Sequence, residues 1–256
     1  MKIDLVSFAL HDDLHSVLER TDHVAEIINK SSADIILFPG YTLYSPKEMK
    51  KLLKILKGSN ALVFLEVGDN TPQYTDRSYS VINKGVSLKD NLSQQFVDSG
   101  EVNVNKSLMS HFITILNKER QFDIQNNHIL LLICGELNFL QNEQVKDNKV
   151  SIRTKDPHLN RDYLSLIKRT KVFLNPQHTP MGNQGKLKKR REYLSSDGKC
   201  YCSTTNLVAE QLTVNEILAK FKKNILQYCL FDGIPIAGKI IAVNDSYLHK
   251  QYLINS

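Results

Sequence analysis

No stretch of this 256-residue chain stays apolar for the roughly 18 residues needed to cross a bilayer, which argues against a helical membrane span. Its first residues, Met-Lys-Ile-Asp-Leu-Val-Ser-Phe, have neither the apolar run nor the small-residue cleavage site of a secretory leader. A cytoplasmic location with no membrane partner is therefore expected. Cysteine is scarce: Cys134, Cys200, Cys202 and Cys229, at irregular spacing. A structural zinc site takes about four sulfur or imidazole ligands in register, and the Cys-x-Cys pair at 200 and 202 has no partner pair. No metal and no cofactor are expected, and reduced thiols are the simplest state. There is no fixed-period repeat, low-complexity tract or linker, so one domain over 1–256 is expected.

What is present is an ordinary globular composition. Hydrophobic residues make up 41% and charged residues 23%, a balance that excludes a disordered chain. The net charge of +6 comes partly from one run, Lys186-Leu-Lys-Lys-Arg-Arg191. Such runs are usually solvated faces. No aromatic residue interrupts this one to stack on a base, so nucleic acid is not the expected partner.

Along the chain, Lys2 to Leu10 reads as a strand. Leu14, Val17, Leu18, Val24, Ile27 and Ile28 fall at helical spacing. Ala33 to Phe38 is a short apolar run stopped by Pro39-Gly40, the pattern of a buried strand. A helix over about Ser45 to Lys57 and a strand over Ala61 to Val67 follow, giving β-α-β-α-β, the order of a layered α/β fold. Asn83-Lys-Gly85 marks a hairpin turn. Residues 90 to 127 are polar and irregular, with one helix near Ser107 to Asn117. His128 to Cys134 is the strongest buried strand. After it the pattern predicts a helix over Leu159 to Arg169, a strand over Val172 to Asn175, a helix through the basic run, a strand over Cys200 to Asn206, a helix near Val214 to Phe221 and two or three closing strands.

Cys134 ends its apolar strand and precedes Gly135, whose backbone freedom suits a sharp turn that lifts a thiol out of the core. A buried structural cysteine fits that position equally well. Leu132-Ile-Cys-Gly-Glu-Leu-Asn-Phe139 resembles the nucleophile segment of the nitrilase (carbon–nitrogen hydrolase) superfamily. Three further pieces fall in that family's order. Ala33 to Pro39 is similar to the strand before its catalytic Glu, and Val172 to Pro176 to its Asn-Pro turn. The basic helix with Cys200 to Asn206 resembles the segments that come next. The likeness runs from about residue 1 to 207, and the segment 207–256 diverges.

The resemblance implies a four-layer αββα sandwich, a Glu-Lys-Cys triad, a small amide or nitrile as substrate, a thioester at Cys134, and a homodimer. It also exposes a gap: the position of the catalytic Glu is Gly40. The oxyanion lysine corresponds to Lys89, in Lys89-Asp-Asn-Leu92, or alternatively to Lys106. Glu101 resembles a second family Glu and is a candidate substitute base. Gly135, Glu136 and His178 are candidate binding residues, His178 also as donor or base. Two functions stay open: a divergent hydrolase working through Cys134, or an inactive nitrilase-fold binding or scaffold protein.

Overall fold

The computed structural model describes residues 1–11, 20–69, 77–143, 149–180, 184–223 and 225–254, with backbone alone at 104 and 106. The chain opens with β1 (Lys2–Leu10), α1 (Arg20–Lys30), β2 (Ile35–Leu37), α2 (Pro46–Ile55) and β3 (Leu62–Gly68). This is the expected β-α-β-α-β order. The expected helical positions Leu14, Val17 and Leu18 lie outside the described residues, while Val24, Ile27 and Ile28 are buried on α1. Ser45 caps α2 by accepting from the Glu48 N–H, and Pro46, which has no N–H to leave unpaired, sits in its first turn.

Next come β4 (Arg77–Asn83), β5 (Val86–Leu92), α3 (Ser99–Val104), α4 (Lys106–Lys118), β6 (Gln121–Ile124) and β7 (Asn127–Leu131). The β4–β5 turn has left-handed Lys84 (φ 51°) and Gly85 (φ 75°), as the Asn-Lys-Gly pattern requires. A 3₁₀ turn spans Cys134–Phe139. It leads into β8 (Leu140–Asn142), β9 (Val150–Ile152), α5 (Pro157–Arg169), β10 (Val172–Pro176), α6 (Gln184–Ser195) and β11 (Cys200–Thr204). The chain closes with β12 (Leu207–Val208), α7 (Val214–Lys222), β13 (Gln227–Phe231), β14 (Ile234–Pro235), β15 (Lys239–Val243) and β16 (Tyr247–Leu253).

Two large sheets result. One runs β15-β16-β1-β2-β3-β4-β5, with β12 beside β1, and the other runs β14-β13-β11-β10-β7-β6. Alternating side chains of both sheets meet in one apolar core that includes Ile3, Leu37, Phe64, Val81, Leu131, Leu174 and Cys202. A second core packs α1 and α2 on the outer face of the first sheet through Val24, Ile28 and Leu52. A third packs α4, α5 and α6 on the outer face of the second sheet through Phe112, Tyr163 and Leu194. The cores therefore stack helices, sheet, sheet and helices.

The divergent last fifty residues are part of this framework. β16 pairs along β1 from Lys2↔Leu253 to Phe8↔Tyr247. Gln227 of β13 donates to the Leu5 and Leu248 carbonyls and so ties the second sheet to the first. In the first sheet β1, β2 and β3 are parallel, and in the second β7, β10 and β11 are parallel. Their carboxyl ends gather on one side, where α/β sheets commonly carry their sites.

Candidate functional site

Cys134 follows the end of β7 and starts the 3₁₀ turn with φ +44°. Left-handed backbone at a non-glycine residue is strained and persists only where its surroundings hold it. Here they do. Asn175, at the end of β10, donates to the carbonyls of Leu132 (2.8 Å) and Cys134 (3.1 Å), and its own oxygen accepts from the Tyr201 hydroxyl (2.8 Å). On the other side Glu136 accepts from Ile133 N (2.7 Å) and Gln95 N (2.8 Å). Glu136 is fully buried and faces fully buried Arg120 at 3.4 Å. Burial pushes its carboxyl pKa up, while Arg120 and the two backbone donors oppose that rise. Glu136 thus braces the turn rather than entering the cleft. Gly135 is buried as well: a Cβ there would come within 1.9 Å of the Val97 carbonyl oxygen. Its lack of a side chain permits this backbone approach.

The half-exposed Cys134 opens into a cleft of about 1140 Å³, lined also by Tyr41, Glu66, Arg77, Gln94 and His178. His178 stands two residues past β10. Its Nε2 donates to Glu66 Oε1 at 2.7 Å, and its ring lies 4.7 Å from that of Tyr41. Burial alone would lower the imidazole pKa. Hydrogen bonding with the Cys134 thiol and the Glu66 carboxylate, together with their charges, outweighs burial and raises it from 6.5 to about 10. Glu66, near the end of β3, is 2% exposed. Its Oε2 accepts from Tyr41 N at 2.7 Å and faces Arg77 Nη1 at 3.5 Å. The Arg77 guanidinium sits 4.0 Å over the Tyr41 ring.

Gly40 faces this imidazole. A Cβ on Gly40 would fall 2.2 Å from His178 Cδ2 and 2.7 Å from Cγ. The backbone holds the two together. Gly40 N donates to the Gln177 carbonyl (3.0 Å), and the Asn206 amide donates to the carbonyls of Gly40 (2.7 Å) and His178 (2.8 Å).

Other expected residues sit elsewhere. Lys89, the expected oxyanion lysine, is not among the residues that line the cleft: its ammonium donates to the backbone carbonyls of Glu119 (2.6 Å) and Lys118 (3.3 Å). Lys89 pairs with Val81 where the β4–β5 register is irregular, and Asn91 beyond it is left-handed (φ 61°). The side chain of Lys106 lies outside the described atoms. Glu101 reaches the cleft, but its Oε1 is occupied by the N–H groups of Val97 (3.0 Å) and Asp98 (3.4 Å) in the capping box of α3.

The basic run is only partly solvated. Arg190 and Arg191 are buried, Arg190 donating to Asn138 (2.7 Å) and Arg191 stacking on Tyr228 at 4.0 Å. Cys200, Cys202 and Cys229, scattered in sequence, meet in the inter-sheet core with sulfurs 3.3 to 3.9 Å apart. They pack there among apolar side chains, as free cysteines often do.

Sequence reasoning missed Glu66 and Arg77. The available signal was the acid itself: Glu66 interrupts Leu62-Val-Phe-Leu-Glu-Val-Gly68, otherwise a continuous apolar run. A charge in a strand buried on both faces needs a partner.

No known protein family is matched by the sequence, and no curated protein matches it. Solved structures do resemble the chain. The NitN amidase from a Nesterenkonia species superposes with a TM-score of 0.55 at 12% identity, covering 100% of this chain and 93% of that one. A variant of this amidase that carries the acetamide moiety of fluoroacetamide covalently on its active-site cysteine gives 0.55 at 14% identity, covering 99% and 90%. A CN-hydrolase superfamily protein from Xanthomonas campestris with an arsenic adduct in its active site gives 0.53 at 10% identity, covering 99% and 90%. The chain has the fold of the nitrilase, or carbon–nitrogen hydrolase, superfamily. Among the described residues no helix is long and apolar enough to cross a membrane.

Proposed function

We propose that this protein is a divergent carbon–nitrogen hydrolase that cleaves a small amide or nitrile through a thioester at Cys134. The observation that carries this reading is the placement of Cys134. It is a half-exposed thiol held at φ +44° on the rim of a cleft, with an imidazole beside it. A strained backbone that presents a sulfur to a cavity and to a base is the arrangement nucleophilic catalysis needs. The fold shared with an amidase whose active-site cysteine takes an acetamide group supports the same chemistry. The reading includes one domain over 1–256, a cytoplasmic location and the homodimer that the resemblance implies.

A second reading, a binding protein that no longer hydrolyses, is favoured by Gly40 and by the diversion of Lys89 to backbone carbonyls. Ammonia release from a panel of small amides and nitriles separates the two. The hydrolase reading expects turnover of at least one compound, reduced more than about a thousandfold in Cys134→Ala, as loss of a nucleophile commonly does. No turnover across the panel, or turnover that survives in Cys134→Ala, contradicts it.

A further inference from the structure

We infer that Cys134, His178 and Glu66 form a nucleophile–base–positioning relay, and that Gly40 is the glycine that makes room for it. This rests on the hydrolase reading above and deepens it by assigning the base. The residues come from three separate strand ends, so no local sequence motif contains them. Glu66 fixes the imidazole by a 2.7 Å bond to Nε2, and Glu66 is itself fixed by Tyr41 N and Arg77. The ring fills the space that any side chain at position 40 would enter, down to 2.2 Å from a Cβ. An acid at 40 and an imidazole at 178 are therefore mutually exclusive in this backbone. The same glycine that removes one base admits another.

The chemistry balances with these groups alone. His178 takes the Cys134 proton, leaving a thiolate beside an imidazolium that Glu66 stabilises. The sulfur attacks the amide carbon and the carbonyl π pair moves to oxygen. As the tetrahedral intermediate collapses, the C–N bond breaks and His178 gives its proton to the departing nitrogen, which leaves as the neutral amine. Water then attacks the thioester and gives a proton to His178. The C–S bond breaks, the acid is released, and that proton returns to sulfur. His178 acts here as general base and then general acid. Glu66 is a positioning residue, since it acts through the ring. The groups whose hydrogen bonds and charges act on the imidazole are Glu66 of β3 and Cys134, with the Tyr41 ring beside it, and Arg77 of β4 lines the same cleft.

The test needs no substrate. The rate at which iodoacetamide alkylates Cys134 is followed from pH 5 to 10, read by peptide mass, in the wild type, His178→Asn, Glu66→Gln and Glu66→Asp. A thiol without an imidazolium partner is only a few per cent ionised at neutral pH. The relay therefore predicts that His178→Asn lowers alkylation at pH 7 by about tenfold or more and moves the profile to higher pH. Glu66→Gln should move it in the same direction, and Glu66→Asp should restore part of the loss. Cys200, Cys202 and Cys229 are buried, so their continued silence reports that each variant is folded. If His178→Asn does not fold, the two Glu66 variants carry the test. An unchanged rate and profile in the variants overturns the relay while leaving Cys134 as nucleophile. A wild-type Cys134 that does not alkylate overturns the hydrolase reading as well.

Discussion

Replacing Arg120 with methionine is expected to destabilise the protein by about 3–5 kcal/mol, the usual cost of removing one partner from a buried ion pair. Arg120 and Glu136 are both fully buried, 3.4 Å apart, and Arg120 also donates to the Ser93 carbonyl. Methionine would fill much of the volume but leave the Glu136 carboxylate without its cation. Glu136 could then avoid a bare buried charge only by taking up a proton, and burial already pushes it that way. A protonated Glu136 would hold Ile133 N and Gln95 N less tightly, and Ile133 adjoins Cys134. The loss of stability should therefore be accompanied by slower chemistry at Cys134. Urea denaturation of the two proteins measures the first effect. A difference below about 1 kcal/mol would mean that the pair does not brace the turn.

The second large effect is expected at Gly40. Alanine there places a Cβ 2.2 Å from the His178 ring. The ring cannot retreat freely, since Tyr41 packs 4.7 Å from it and Glu66 holds its Nε2. Overpacking of this kind costs about 1–3 kcal/mol. Displacing a catalytic group by about 1 Å can cost 10²-fold in rate. Gly40→Ala should therefore lose about a hundredfold in kcat/KM while remaining folded. Gly40→Glu, which installs the acid of the amidase pattern, should be worse rather than better as long as His178 is present. Activity in Gly40→Ala equal to wild type would show that the imidazole has no part in turnover.

The fold was legible in the sequence wherever burial imposed a simple period. Ala33 to Phe38, Ala61 to Val67 and His128 to Cys134 are apolar runs bounded by turn residues, and they became the central strands β2, β3 and β7. The edges were less legible. β6, Gln121-Phe-Asp-Ile, is half polar because it lies at the margin of its sheet, and its turn uses left-handed Gln125 (φ 48°) and Asn126 (φ 64°) with no glycine to announce it. Among the closing strands β12 and β14 have two residues each and β15 is largely exposed, and long-range pairing to β1 and β11 places β12, β16 and β13 rather than local pattern.

The site divides in the same way. Cys134 was visible because its turn is local. Lys89 has the expected spacing, yet its ammonium ends on the carbonyls of Glu119 and Lys118, contacts that only the folded chain brings together. Gly40 looked like a loss because the sequence shows the missing side chain and not the ring that replaces it. Glu66 and His178 are 112 residues apart in the chain, and only the stacking of the two sheets brings them together.

The central claim is that Cys134 is a reactive nucleophile in a folded protein with three inert thiols. Peptide mass mapping after brief treatment of the native protein with iodoacetamide at neutral pH tests it most directly. The expected result is a single adduct, on Cys134, with Cys200, Cys202 and Cys229 modified only after denaturation. Equal labelling of all four thiols, or none at Cys134, would contradict it.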